Sequence, residues 1–139
     1  MAKIANPRQK NGMKIIVTSV LVADQAKVLK FYTKGLGFVK KTDLPAGKYR
    51  WLTVVSPDAR DGVELVLEPA ALKESRTYQK ALFKMGIPAT VFGVDDIAKE
   101  FKRLKRRGVK FSQEPTAMGP VTAAVFADTC GHHLMICQK

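Results

Sequence analysis

VTSVLVADQAKVLKFYTKGLGF, residues 17–38, changes its apolar period partway along. The β-branched run through residues 14–22 reads as a strand, because branching at Cβ fits the pleated backbone better than a helical turn. Asp24 follows as a helix cap, and Val28, Leu29, Tyr32 and Leu36 then recur at helical spacing on one face. Gly35 and Gly37 stop the helix. Beyond them, short strand-like runs at residues 38–42, 49–55 and 63–67 are separated by Pro45-Ala46-Gly47, and by Ser56-Pro57-Asp58 with Asp61-Gly62. The order is βαβββ.

The second half repeats this plan. Residues 89–94 read as a strand, Asp95 and Asp96 supply a cap, and a basic helix over 97–108 ends at Gly108. Strands follow at 109–112, 121–126 and 133–137. Residues 22–27 laid over 94–99, an offset of 72, match at Val, Asp, Ala and Lys, which marks a duplicated unit. Between the halves, Tyr78, Leu82 and Met85 recur at helical spacing before Gly86-Ile87-Pro88, so residues 70–87 form a linker helix. The expected organisation is a flexible N-terminal extension over 1–12, a first module over 13–69, the linker, and a second module over 88–139, packed as one domain. This is an α+β architecture of two βαβββ modules. Neither half can bury its sheet alone, so the sheets are expected to pair as a concave mixed sheet around a cleft, the expected ligand site.

Composition bounds the partners. With 139 residues and 46% hydrophobic content, the chain is long enough to bury a core. Apolar runs fall far short of the roughly 20 residues that cross a bilayer, so a cytoplasmic location is expected. The 24 Lys and Arg against 12 Asp and Glu favour anionic partners, and many cations lie on the helix over 97–108. A solvated helix face accounts for that pattern; nucleic-acid binding is the alternative. Cys130 and Cys137 both read as lying on the last strand and form no CxxC pair, which points to free thiols.

The marks Val22-Ala23-Asp24, Phe31-Tyr32, Leu36-Gly37-Phe38 and the closing Asp128-Thr129-Cys130-Gly131-His132-His133 resemble the vicinal oxygen chelate superfamily, the group of glyoxalases, bleomycin-resistance proteins and extradiol dioxygenases. The resemblance covers residues 13–138 and implies a homodimer. Metal-using relatives place up to four His or Glu ligands on the concave face, one from the first and one from the last strand of each module. Aligned on this chain, those positions are Val17, Glu64, Ala89 and Met135, of which Glu64 alone keeps a ligand-type side chain. One carboxylate does not hold a divalent ion against water, so no cofactor is expected. A rebuilt divalent-metal site using His133 with Glu64 and Glu68 is the alternative. His132 and His133 otherwise read as strand residues near the rim, one facing each way.

Without the metal, the resemblance implies a small-molecule-binding protein like the bleomycin-sequestering members. Tyr49 and Trp51 share one strand face and supply aromatic walls, with Arg50 and Leu52 on the other; Phe92 and Phe126 join them if the register allows. The expected ligand-binding set is Tyr49, Trp51, Glu64, Met135, His133, Val17 and Ala89. The enzymatic alternatives are a lyase or dioxygenase with a nonstandard metal site, or acid–base catalysis by Glu64.

Overall fold

The computed structural model describes residues 12–139; the expected extension over 1–12 falls almost wholly outside them. The elements are β1 (Val17–Val22), α1 (Gln25–Lys30) continued by one π-turn (Phe31–Gly35), β2 (Val39–Ala46), β3 (Tyr49–Val55), β4 (Glu64–Pro69), α2 (Lys73–Lys84), β5 (Pro88–Gly93), α3 (Ile97–Arg106), β6 (Phe111–Met118), β7 (Val121–Ala127) and β8 (His133–Gln138). They form two four-stranded sheets, ordered β1-β4-β3-β2 and β5-β8-β7-β6. In each, the first and last strands pair in parallel and the others antiparallel. The duplication seen in the sequence is therefore structural.

Both expected caps are made. Asp24 Oδ1 accepts the Lys27 N–H at 3.0 Å and Asp96 Oδ1 accepts that of Lys99 at 3.1 Å, each satisfying a donor that the first helical turn leaves open. α1 is also tied down by its first residue, the buried Gln25. Its Nε2 donates to the carbonyls of Arg50 (2.7 Å) and Leu67 (2.9 Å), and its Oε1 accepts the Arg50 N–H at 3.1 Å. One side chain thus fixes α1 to β3 and β4.

Two elements are longer than their sequence suggests. Pro45 and Ala46 belong to β2, and the turn falls at Gly47-Lys48, where Gly47 has a φ of +62° that favours glycine. β6 runs on to Met118 despite Pro115, because it is an edge strand and its register shifts between Gln113 and Thr116 to pass the residue that has no N–H. Cys130 lies in the turn before β8 rather than on that strand, and both cysteines are free.

The expected fold of two βαβββ modules is the one observed, and the packing shows which of their faces meet within the chain. Val28 and Tyr32 of the first module and Ile97 and Leu104 of the second share one core with Leu52, Leu67, Phe126 and Ile136. Tyr32 meets Phe92 edge-on at 6.4 Å between ring centroids, and Phe31 reaches Phe126 at 6.3 Å. Arg103 of α3 and Arg107, which caps its C-terminal end, donate to the carbonyls of Leu36 and Lys34, each at 2.9 Å. The helix-bearing faces are the ones that meet. Each sheet's other face, called the open face below, turns outward. The helical stripes decide this, since they offer the modules their most continuous apolar surfaces.

Candidate functional site

On the N-terminal sheet, Val17 pairs with Glu64, Ser19 with Val66 and Leu21 with Glu68, while Trp51 stands opposite Leu44 and Tyr49 opposite Ala46. Leu52 and Val54 point into the core, so strand alternation puts Tyr49, Trp51 and Thr53 on the open face together with Val17, Glu64 and Glu68. Trp51 is 46% exposed there. A cavity of about 370 Å³ is lined by Tyr49, Trp51, Leu21, Val66, Glu68 and Leu72, the last at the start of α2. Arg50 also lines this cavity, with its guanidinium held by Asp43. Its guanidinium donates to both carboxylate oxygens of Asp43, at 3.0 and 2.7 Å, and those bonds hold the Asp43 carboxyl down at about 2.

Glu64 is anchored flat on the sheet. Its Oε1 accepts from Thr53 Oγ1 at 2.7 Å and from Thr42 Oγ1 at 3.2 Å, and Thr53 Oγ1 itself accepts the Thr42 N–H at 3.1 Å. The two threonines were not among the residues expected here. They meet because β2 slips register between Lys40 and Thr42, a bulge with no clear mark in the sequence.

The C-terminal open face differs from expectation in its register. Met135 stands opposite Val91, whereas Ala89 sits in an irregularity between Pro88 and Thr90, which pair with His133 and Leu134. Val91, 54% exposed, therefore takes the neighbouring place that sequence alignment gave to Ala89, and it too has no metal-binding atom. His133 faces outward as expected, but its ring is stacked on Phe83 of α2 at 4.5 Å and 11°, with Nε2 3.0 Å from the Phe83 carbonyl. That contact requires the Nε2–H tautomer and leaves Nδ1 buried without a partner. Glu64 and His133 lie on different sheets, so one chain does not bring them together. Among the described residues, no three His, Cys, Asp or Glu side chains converge to hold a metal ion. Of the positions aligned with chelating residues, Glu64 alone offers a ligand-type side chain within one chain.

His132 faces inward. Its Nδ1 lies 3.2 Å from Asp128 Oδ2, and Asp128 Oδ1 accepts the N–H groups of Cys130 (2.8 Å) and His132 (2.9 Å). The pair shapes the turn into β8. Gln79 of α2 donates to the Cys130 carbonyl at 2.7 Å and secures the same turn. Phe92 and Phe126 are on the helix-bearing side, within or against the core, so the register takes both away from the open face. On the basic helix, Arg103 pairs with Glu100, and Lys105 lies 5.1 Å from the centroid of the Phe101 ring. Part of that charge is thus engaged in local packing and in joining the modules. Among the described residues, no helix is long and apolar enough to cross a membrane.

Comparison with known proteins places this geometry. A sequence model described as the Glyoxalase/Bleomycin resistance protein/Dioxygenase superfamily matches residues 14–136. The chain is 58% identical to the Bacillus subtilis (strain 168) protein YurT over 127 residues, which cover 91% of this chain and all of that one. The crystal structure of UcmS2 superposes with a TM-score of 0.79 at 30% identity, covering 91% of this chain and 98% of UcmS2. TnmS3, an antibiotic binding protein from Streptomyces sp. CB03234, superposes with a TM-score of 0.70 at 26% identity, covering 94% and 98% of the two chains.

Proposed function

Since the chain belongs to the Glyoxalase/Bleomycin resistance protein/Dioxygenase superfamily, yet carries Val17, Ala89 and Met135 where chelating relatives carry ligands, we propose that it binds an apolar or aromatic small molecule without a metal ion. The ligand lies against Tyr49 and Trp51, with Glu68 and Glu64 available to a cationic or hydrogen-bond-donating group. The observation that carries this reading is Trp51, which is half-exposed on a sheet face and lines a cavity with a second aromatic ring. A large ring in that position supplies stacking area whose burial is still unspent. The likeness to TnmS3, an antibiotic binding protein, supports the same class of ligand.

The site is completed by a second copy of the chain. Beside Trp51, which is left to the ligand, both open faces leave large apolar side chains in water: Val17 and Leu44 on one, Val91 and Met118 on the other. A two-fold dimer that lays the N-terminal face of one chain on the C-terminal face of its partner covers both patches at once and encloses two equivalent clefts. Sedimentation equilibrium is expected to give a dimer.

Titration with the neutral aromatic probe N-phenyl-1-naphthylamine tests the binding. Energy transfer from Trp51 to the probe is expected. Aromatic side chains bury about 150–250 Å², so with 46% of Trp51 exposed, roughly 70–115 Å² is left for a ligand to cover. At ~25 cal/mol per Å² this is about 2–3 kcal/mol, and Trp51→Ala should weaken the probe roughly thirty- to a hundredfold. Unchanged affinity in that variant would dismiss the site.

A further inference from the structure

A second cavity, of about 630 Å³, does not touch the Tyr49–Trp51 face. It lies where the segment leading into β2 and the loop after β3 meet the end of β5 and the first turns of α3. The floor is apolar: the rings of Phe38 and Phe92 are 4.9 Å apart, and Leu36, Leu104 and Ile136 lie alongside. Both phenylalanines are only partly buried, so their rings still offer surface to a ligand.

The rim inverts the charge of the protein. Across the chain, 24 Lys and Arg face 12 Asp and Glu, yet this cavity is lined by four carboxylates (Asp58, Asp95, Asp96 and Glu100) and two cations (Lys99 and Arg103). Arg103 is engaged by Glu100 and by the Leu36 carbonyl, and Asp96 by the Lys99 N–H. Asp58 and Asp95 have no side-chain partner among the described residues and come from opposite modules. The carboxylates do not form a chelating set for a metal ion. An apolar aromatic floor beneath a net negative rim suits a cation that carries its own apolar body, because the ammonium gains from both the carboxylates and the ring faces while the body is removed from water.

We propose that this inter-module crevice is a second small-molecule site, specific for organic monocations of the arylalkylamine type. It is independent of the open-face site, and either can fail without the other. The test is an NMR titration of the full chain with 4-phenylbutylamine, 4-phenyl-1-butanol and 4-phenylbutyrate. The amine is expected to shift the amide signals of Gly93, Val94 and Asp95 with about millimolar affinity, as befits a ligand of its size, and to leave the Trp51 indole N–H in place. The alcohol should bind roughly three- to tenfold more weakly than the amine, since each exposed charge contact is modest, and the carboxylate more weakly still. The double variant Asp58→Asn with Asp95→Asn should bring the amine down to the affinity of the alcohol. Unchanged amide signals outside the crevice and an unchanged thermal midpoint report that the fold of the double variant is intact. Equal binding of amine and alcohol, amine-induced shifts centred on Trp51, or full amine affinity in the double variant would each overturn the proposal.

Discussion

Removing one hydroxyl from the core, by Tyr32→Phe, should raise stability at neutral pH and reduce its loss in alkali. Tyr32 is fully buried among Phe31, Phe38 and Phe92, and its hydroxyl has no hydrogen-bond partner. A buried polar group left unpaired costs about 1–3 kcal/mol, so deleting it while keeping the ring should recover on the order of 1 kcal/mol after the small packing loss. The same surroundings push the phenol well above its ordinary value of 10.0, through burial first and then the negative fields of Asp128 and Cys130. In the unfolded chain Tyr32 ionises near pH 10.0, whereas the native state keeps the proton, so above that pH the unfolded state binds fewer protons. The contribution is therefore present in full below the unfolded value and is lost as pH rises towards the higher folded value, at about 1.4 kcal/mol per pH unit. Urea denaturation of both proteins at neutral pH and at two pH values above 10 reads both effects, because all other titrating groups are common to the pair. Tyrosinate absorbance should also show one phenol that ionises only on unfolding. A Tyr32→Phe protein less stable by more than about 1 kcal/mol at neutral pH, or one with the same alkaline slope as the parent, would refute the reasoning.

Gln25→Ala removes three hydrogen bonds between α1 and the backbone of β3 and β4, and leaves buried backbone groups unpaired; chemical denaturation should report a loss of about 2–4 kcal/mol. Zinc, nickel or manganese added to protein freed of metal should leave the thermal midpoint unmoved, since the other aligned positions, Val17, Ala89 and Met135, carry no strong ligand atom in either chain of a dimer. A rise of several degrees that vanished in Glu64→Ala would show a metal site after all.

Much of the architecture was legible because it is written locally. Strand alternation, the helical stripe through Val28 and Tyr32, the caps at Asp24 and Asp96 and the repeat at an offset of 72 each depend on residues a few places apart, and each appears in the structure. The shared face of Tyr49 and Trp51 was legible for the same reason, since period-two alternation fixes it once the strand is recognised. Glu64 was placed on the right face, but its threonine partners were hidden, because a bulge in β2 sets which side chains come level across the sheet. An irregularity in β5 likewise moved the neighbour of Met135 from Ala89 to Val91.

The sequence by itself therefore determined two βαβββ modules and their apolar stripes. Tertiary structure alone decided which faces of those modules meet. The helix-bearing faces close the core, the open faces turn outward, Glu64 and His133 are parted, and an acid-rimmed crevice opens where the modules join. The physical reason is that periodicity assigns a side chain to a face, whereas the choice of partner for that face depends on the apolar area it can bury against every other surface of the folded chain.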